Sequence, residues 1–392
     1  MEHLPQSRAN LQQAIDLRLE LRNPLYILGE FDELHRCLRE AEAIAQRISD
    51  DRRLGQVFNL LTSYYGLVGK HDRSIDFGTR GLQINRDDVE LNTATNYYMG
   101  AEYQHVGQYD RSIAFLRRAL SVTEEERFKY ERFGTAFVLS VSCRIWSAQS
   151  SAQLGHFKDG KTAAENAITI AKEADHSPSL AYAHISLGFT HLVQGNVDSA
   201  IRALETSQKI CRANNIQVLM PHIGSNLGYA YALAGRIDDA IPLMEKADEQ
   251  SELIGRKAAW ALRLAWLGHA SLLGRQFGAA RKQAQRAIAL ARDTGERGNE
   301  AWAGRLLGDI IQEEPSDPSE ALNQYAESMA LATELAMRPL QAHIHLSLGR
   351  LHRRENHIEK ARTELSLALT SYRSMEMQFW LSNAEAALGE LS

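Results

Sequence analysis

A Leu-Gly pair returns along this chain at Leu187/Gly188, Leu227/Gly228, Leu267/Gly268, Leu307/Gly308 and Leu348/Gly349, in steps of 40, 40, 40 and 41 residues. The segment "ISLGFTHLVQGNVDSAIRALETS" (185 to 207) overlays "SNLGYAYALAGRIDDAIPLMEKA" (225 to 247) without a gap. Self-similarity at a fixed period of about 20 to 50 residues is the mark of a repeat architecture. The same frame extends upstream to Met99/Gly100, to "GKHDRSIDFGTRGL" from Gly69 and to "GEFDELHRCLREA" from Gly29, so nine units are legible.

Each unit reads as two amphipathic helices around a short turn, with an apolar-periodic run ending near a glycine such as Gly155, Gly195 or Gly235. A helix pair of this size cannot bury its own apolar face, so neighbours must stack. Glycine inside a helix costs about 1 kcal/mol relative to alanine, yet it recurs at Gly100, Gly188, Gly228, Gly268, Gly308 and Gly349. Close approach of a second helix offsets that cost. Ala200, Ala240, Ala280, Ala321 and Ala361 supply the matching small residue in the second helix.

Length and composition agree with a stacked array. A chain of 392 residues exceeds the ~250 to 300 over which one core usually grows. It holds only 8 prolines, with 44% hydrophobic and 24% charged residues. A net charge of -5 offers no broad basic field for a phosphate backbone and argues against nucleic acid as the main partner. Cys37, Cys143 and Cys211 are odd in number and widely spaced, forming neither a disulfide framework nor a metal cluster, which fits a reducing cytoplasm. "MEHLPQSRANLQQ" carries no apolar leader run, and no window approaches the roughly 20 apolar residues of a membrane span.

Leu227, Gly228, Tyr231, Ala240, Met244 and Ala247 stand at the spacing of the tetratricopeptide pattern, which the chain therefore resembles. It departs from that pattern in lacking the leading Trp and most of the terminal Pro residues. Its period is 40 residues, against about 34 in the pattern, which predicts longer helices. A narrower resemblance covers almost the whole chain. "LRNPLYILGEFDELHRCLREAEAIA", "GERGNEAWAGRLLGDI", the "MRPL…HLSLG" run and the closing "MEMQFWL" are similar to the C-terminal repeat region of large bacterial proteins carrying a class III nucleotide cyclase and an AAA-type ATPase domain upstream. The resemblance implies an all-α, right-handed tetratricopeptide-like solenoid. It also implies a regulatory role without catalysis, since that family keeps its chemistry in the upstream domains.

Other motifs yield to the repeat. "GHFKDGKT" (155 to 162) satisfies the phosphate-cradling pattern G-x-x-x-x-G-K-[ST]. That loop must leave a buried strand, whereas "CRIWSAQSSAQL" before it is helix-patterned, and Gly155 and Gly160 occupy the turn and seam positions of the repeat. His343 and His345 lie two apart on a helix and point to different faces, and His352 and His357 add no zinc-ligand spacing. The adjacent pairs Asp238/Asp239 and Glu313/Glu314 diverge on a helix. No catalytic residue, metal site or cofactor is expected.

What remains is a surface. In the tetratricopeptide fold the first helices line the concave side, and one face of theirs gathers Asn59, Tyr97, Gln149, Tyr182, His222, Tyr229, His269, Trp302, Arg305, Asp309 and Arg350, with Trp146 and Trp266 at its edge. Aromatic and Arg side chains on an exposed groove serve as anchors for protein partners; the competing reading places several of the aromatics in the core between units. Regularity breaks once, between Gly107 and Gly155, where the step is 48 residues and the excess falls around "TEEERFKYERFG". A longer helix, a surface loop, or a loop folded over the groove or docking a partner domain would each absorb it.

Residues 1–392 are thus read as a single superhelical domain of about nine helix hairpins, irregular at about 121–140 and capped by a helix at about 378–388. The expected function is that of a protein-interaction scaffold or regulatory module, binding a protein, a peptide, or an upstream cyclase or ATPase domain in the concave groove. The alternatives are a small-molecule sensor arm of an ATPase-linked transcription regulator and, from a different class, a nucleotide-binding enzyme using Lys161.

Overall fold

The structure is a computed structural model that describes residues 7–22, 24–25, 30–314 and 318–391. The described residues form 19 α-helices, one 3-10 turn and no strand. They pair into hairpins: α1 (Arg8–Glu20) with α2 (Phe31–Arg47), α3 (Asp51–Leu67) with α4 (His71–Ile84), and α5 (Val89–His105) with α6 (Tyr109–Thr123). Next come α7 (Leu139–Leu154) with α8 (Phe157–Glu173), α9 (Ser177–Gln194) with α10 (Val197–Ala213), and α11 (Met220–Leu233) with α12 (Ile237–Ile254). The last three are α13 (Trp260–Leu273) with α14 (Phe277–Thr294), α15 (Arg297–Glu313) with α16 (Pro318–Glu334), and α17 (Arg338–Arg354) with α18 (Ile358–Ser374). The chain closes on α19 (Gln378–Gly389). The architecture is the nine-hairpin, tetratricopeptide-like solenoid with a capping helix that the repeat predicts. Gly29 and the Pro-bearing turn over 315–317 lie outside the described residues.

The seam glycines sit where the frame puts them. A Cβ built on Gly188 would stand 2.6 Å from Leu204 Cγ, one on Gly349 2.6 Å from Leu365 Cγ, and one on Gly308 2.6 Å from Tyr325 Cε1. Each contact joins the first helix of a hairpin to its second. Ala200, Ala240, Ala280, Ala321 and Ala361 are all fully buried. Gly155 and Gly195 turn the chain between helices at φ 81° and 90°, a left-handed conformation that side chains with a Cβ resist.

Longer-range contacts set the pitch. The turn after α3 meets the segment entering α13: the Leu67 carbonyl accepts from the backbone N–H of Lys257 at 3.0 Å and of Ala258 at 3.3 Å. A Cβ on Gly107, after α5, would lie 3.1 Å from the Gly298 nitrogen in α15. One on Gly155, after α7, would lie 3.3 Å from Pro339 Cδ in α17, and one on Gly195, after α9, 2.8 Å from Trp380 Cδ1 in α19. Hairpins two, three and four therefore rest on hairpins seven, eight and nine, and hairpin five rests on the cap. Five hairpins complete one superhelical coil, and the second coil sits directly on the first.

A buried ionic group stitches this contact. His71, at the start of α4, places Nδ1 2.8 Å from Glu102 and Nε2 3.3 Å from Glu296, a residue 225 positions away. His71 and Glu296 are 2% and 0% exposed. Nearby, the Tyr109 hydroxyl approaches Met337 Sδ at 4.0 Å, and Trp302 Nε1 donates to Gln153 Oε1 at 3.1 Å.

The irregular segment between α6 and α7 runs through a 3-10 turn at Glu126–Phe128 and then folds inward. Ser140 Oγ donates to the Lys129 carbonyl at 2.7 Å, the Leu139 N–H to the Glu131 carbonyl at 3.0 Å, and the Val138 N–H to Ser179 Oγ at 2.9 Å. Phe137 packs on Tyr182 with ring centroids 5.3 Å apart. Arg132, Thr135, Ala136 and Phe137 of this segment line a space on the inner side of the first helices.

Candidate functional site

The tight pitch turns the concave face into a lumen. The first helices α3, α5, α7 and α9 line its upper part, and residues 132–137 of the inserted segment roof it. The resulting chamber holds about 380 Å³. Its walls are aromatic, from Tyr97, Tyr98, Trp146, Tyr182 and Phe137, with Arg22, Arg132, Arg256, Glu102 and His105 as the charged or titratable groups. A narrow neck of about 50 Å³ shares His105, Trp146, Tyr182 and Arg256 with this chamber. The neck also reaches Gln149, His222, Arg263 and Trp266. A second, more polar chamber of about 650 Å³ lies farther along, lined by His269, Arg305, Asp309, His343, Arg350 and Trp380 among others.

The residues singled out in the sequence divide accordingly. Tyr97, Trp146 and Tyr182 belong to the aromatic chamber, and Gln149, His222 and Trp266 to the neck. His269, Arg305, Asp309 and Arg350 belong to the polar chamber. Asn59 lines a separate space of about 450 Å³ near the N-terminal end, beside Arg52, Glu90 and Phe133. It is 4% exposed and tied down: Nδ2 donates to the Leu91 carbonyl at 3.1 Å and Oδ1 accepts from the Thr95 hydroxyl at 2.6 Å.

The expectation of an open groove is corrected by these positions. Tyr229 is 6% exposed, stacked on Trp266 at 4.8 Å, and shares a 2.8 Å hydrogen bond with His269. Trp302 is 8% exposed and bonded across the coil to Gln153. Arg305 is paired with Asp309 at 2.5 Å, and Asp309 also accepts from the Tyr325 hydroxyl at 2.9 Å. These side chains hold the solenoid together; Arg350 alone of the set is exposed. The causes differ: the neighbouring first helix buries Tyr229, the two helices of one hairpin hold Arg305 and Asp309 with Tyr325, and the pitch of five hairpins per coil brings Trp302 onto Gln153.

Electrostatics follow burial. Burial pulls His269 down to about 4 and His222 and His343 well below 6.5, with neighbouring arginines adding to the shift, so these imidazoles are neutral near pH 7. His105 falls to about 4 through burial and the charge of His71, on which it stacks at 5.2 Å. Burial alone would lower His71 too, but its hydrogen bonds to Glu102 and Glu296 override that and raise it to about 10.

The phosphate-loop string has no strand before it among the described residues. Gly155 is the turn after α7, and Gly160 and Lys161 lie within α8, with Gly160 packed against Ala148 and Thr190. His343 and His345 face different partners, Tyr372 at 2.8 Å and Glu364 at 2.6 Å. Cys37, Cys143 and Cys211 are free and buried. No helix among the described residues is long and apolar enough to cross a membrane. Sequence reasoning missed Arg132 and Phe137, which only the folding of the insert brings to the lumen. It also missed Arg256 and Arg263. For Arg263 a signal was there: it occupies the frame position that Ala183, Ile223, Ala303 and Ile344 fill elsewhere.

The fold is found among solved structures. The chain is similar to a Rap protein crystallised with Competence and Sporulation Factor, at a TM-score of 0.63 and 14% identity over 97% of this chain and 99% of that one. It is similar to the Rap conjugation gene regulator of plasmid pLS20 in complex with the Phr* peptide, at 0.60 and 13% over 92% and 96%. Aspartyl phosphate phosphatase F from Bacillus subtilis follows at 0.50 and 14% over 94% and 95%. At these identities the likeness is one of fold. No protein-family model and no curated protein matches the chain.

Proposed function

We propose that this protein is a non-catalytic regulatory interaction module that takes a short peptide segment of a partner into the aromatic chamber of its lumen. The observation that carries the reading is the chamber itself. Its volume of about 380 Å³ falls within the ~300 to 1,000 Å³ of ligand pockets, its walls are aromatic, and a dedicated segment roofs it. The similar solenoid of the pLS20 regulator was solved with a peptide, which supports the same use here. A partner terminus or loop would enter extended, with its side chains between Tyr97, Trp146 and Tyr182. Because the chamber lies between the two coils, occupancy would stiffen their contact and alter the outer surface offered to a second protein. A cyclase or ATPase domain is the proposed recipient of that signal, on the strength of the sequence segments that resemble such proteins. The polar chamber, with the Arg305–Asp309 pair, belongs to the scaffold in this reading.

Selection of random short peptides from a display library tests the proposal. Enriched peptides should bind the wild-type protein, change its tryptophan fluorescence through Trp146, and lose at least tenfold in affinity in Phe137→Ala while circular dichroism is unchanged. Failure to enrich any peptide, or equal binding to Phe137→Ala, would remove the chamber from the account. A small-molecule effector is the second reading, favoured by the volume and aromatic walls of the chamber. Thermal stabilisation by one compound of a metabolite panel, with no peptide enriched, would select it.

A further inference from the structure

Two arginines line the neck, and no carboxylate lines it with them among the described residues. Arg263, in the first turn of α13, is 8% exposed, and Arg256 lies in the loop that leads into that helix; both border the same space. The Arg263 guanidinium reaches only the Ala258 carbonyl and the Ser251 hydroxyl, each at 3.5 Å, and its Nε is buried without a partner. Arg256 Nε is buried without a partner as well. The nearby acids are engaged elsewhere. Glu296 accepts from the Ala259 N–H at 2.8 Å, from Asn299 at 2.7 Å and from His71, while Asp248 accepts from Trp260 Nε1 at 2.6 Å and pairs with Arg286 at 3.0 Å. The remaining polar groups facing the neck, among them Gln149, His222 and Asn226, bring no negative charge.

Nothing in the hairpin packing asks for a cation here. The repeat frame places Ala183, Ile223, Ala303 and Ile344 at the position of Arg263, all fully buried. Burial, reinforced by the charge of Arg256, pushes Arg263 down to about 9 against the opposing pull of Glu296 and Asp248. A buried charge costs stability unless it is paired, and sites that tolerate such a cost are as a rule functional ones.

We infer that Arg263 and Arg256 form a carboxylate clamp at the floor of the aromatic chamber, and that a peptide entering there leads with its free C-terminal carboxylate. This assignment rests on the peptide reading for its source and on the two guanidinium groups for its chemistry. A guanidinium presents a planar fork that matches a carboxylate, and the neck, at about 50 Å³, has room for that head group while the chamber above takes an apolar body.

Two isosteric probes test the clamp: N-acetyl-phenylalanine as the free acid and as its primary amide, titrated against the intact protein by tryptophan fluorescence. The acid is expected to bind at least about tenfold more tightly than the amide, because a charge-assisted hydrogen bond is lost in the amide. Arg263→Met should erase that preference. The same variant, without probe, should melt no lower than wild type, since it removes an unpaired buried charge. Equal binding of acid and amide, no signal from either at about 10 mM, a preference that survives Arg263→Met, or a fall in melting temperature in that variant would each overturn the clamp. Peptides from the display selection that bind equally with amidated C-termini would also sink the clamp and leave the peptide reading standing. An acid preference with no peptide enriched would uphold the clamp and transfer it to a small carboxylate.

Discussion

At the scale of single residues, the same amino acid does opposite things at two places. Gly188 faces Leu204 across a helix seam, whereas a Cβ on Gly278, near the start of α14, would meet nothing within 4 Å. Gly188→Val should therefore destabilise the protein by about 1 to 3 kcal/mol through overpacking. Gly278→Ala should stabilise it by a few tenths to about 1 kcal/mol, because alanine is the better helix former and there is room for it. Denaturant unfolding of the two variants checks both signs; a stabilising Gly188→Val would remove the seam from the account. These seam residues were legible in the sequence because they repeat with the period of the fold. The lumen residues were legible only as one face of the first helices. Tyr229 and Trp302 stood out as aromatic, but Tyr229 is covered by Trp266 and His269 of the next hairpin and Trp302 by a contact across the coils, and neither covering is encoded in a local pattern. Arg263 was legible in principle as a charge at a position where four other units carry Ala or Ile.

At the scale of elements, the contact of α4 with α15 depends on protons. His71 carries its charge between Glu102 and Glu296, so its folded value of about 10 lies above its ordinary 6.5. A group raised on folding contributes stability that is complete below its unfolded value and is lost as pH rises through the folded one. The His71 contribution should thus decline from about pH 6.5 toward pH 10, with a slope of at most about 1.4 kcal/mol per pH unit. Burial alone would raise Glu296, but hydrogen bonding to His71 and the imidazolium charge hold it below its ordinary 4.5. Its contribution is present above that value and is lost as pH falls through the lower, folded one. Thermal melts of wild type and His71→Gln across this range provide the measurement. The variant should melt lower at pH 6, by an amount that reflects about 3 to 5 kcal/mol for a broken buried pair, and the difference should shrink by pH 10. A constant difference would remove His71 from the ionic stitch. The two helices of each hairpin and the turns between them were readable from periodicity and glycine. The stitch was not, because its partners are 225 residues apart and each alone resembles an ordinary surface residue.

At the scale of the whole molecule, the repeat count was legible and the pitch was not. Nine hairpins follow from nine similar strings. How many make a coil depends on small rotations between neighbours, which accumulate along the stack and are set by the combined shape of many side chains. The contacts of Leu67 with Lys257, of Gly107 with Gly298 and of Gly195 with Trp380 fix the number at five. Excision of residues 196–235, one full repeat, should lower the melting temperature and broaden the transition far beyond the loss of one hairpin from an open array, where stabilities simply sum. A sharp, slightly lowered melt would show that the coils stand independently.

That number carries a consequence for how such a chain can change over time. The turns after α3, α5, α7 and α9 are each matched to a particular partner in the second half, as teeth are matched on two meshed wheels. Losing one unit from the middle would leave each tooth facing the wrong gap. Descendants of this molecule can lengthen at an unmeshed tip or by a complete revolution, but the interior must keep its tally.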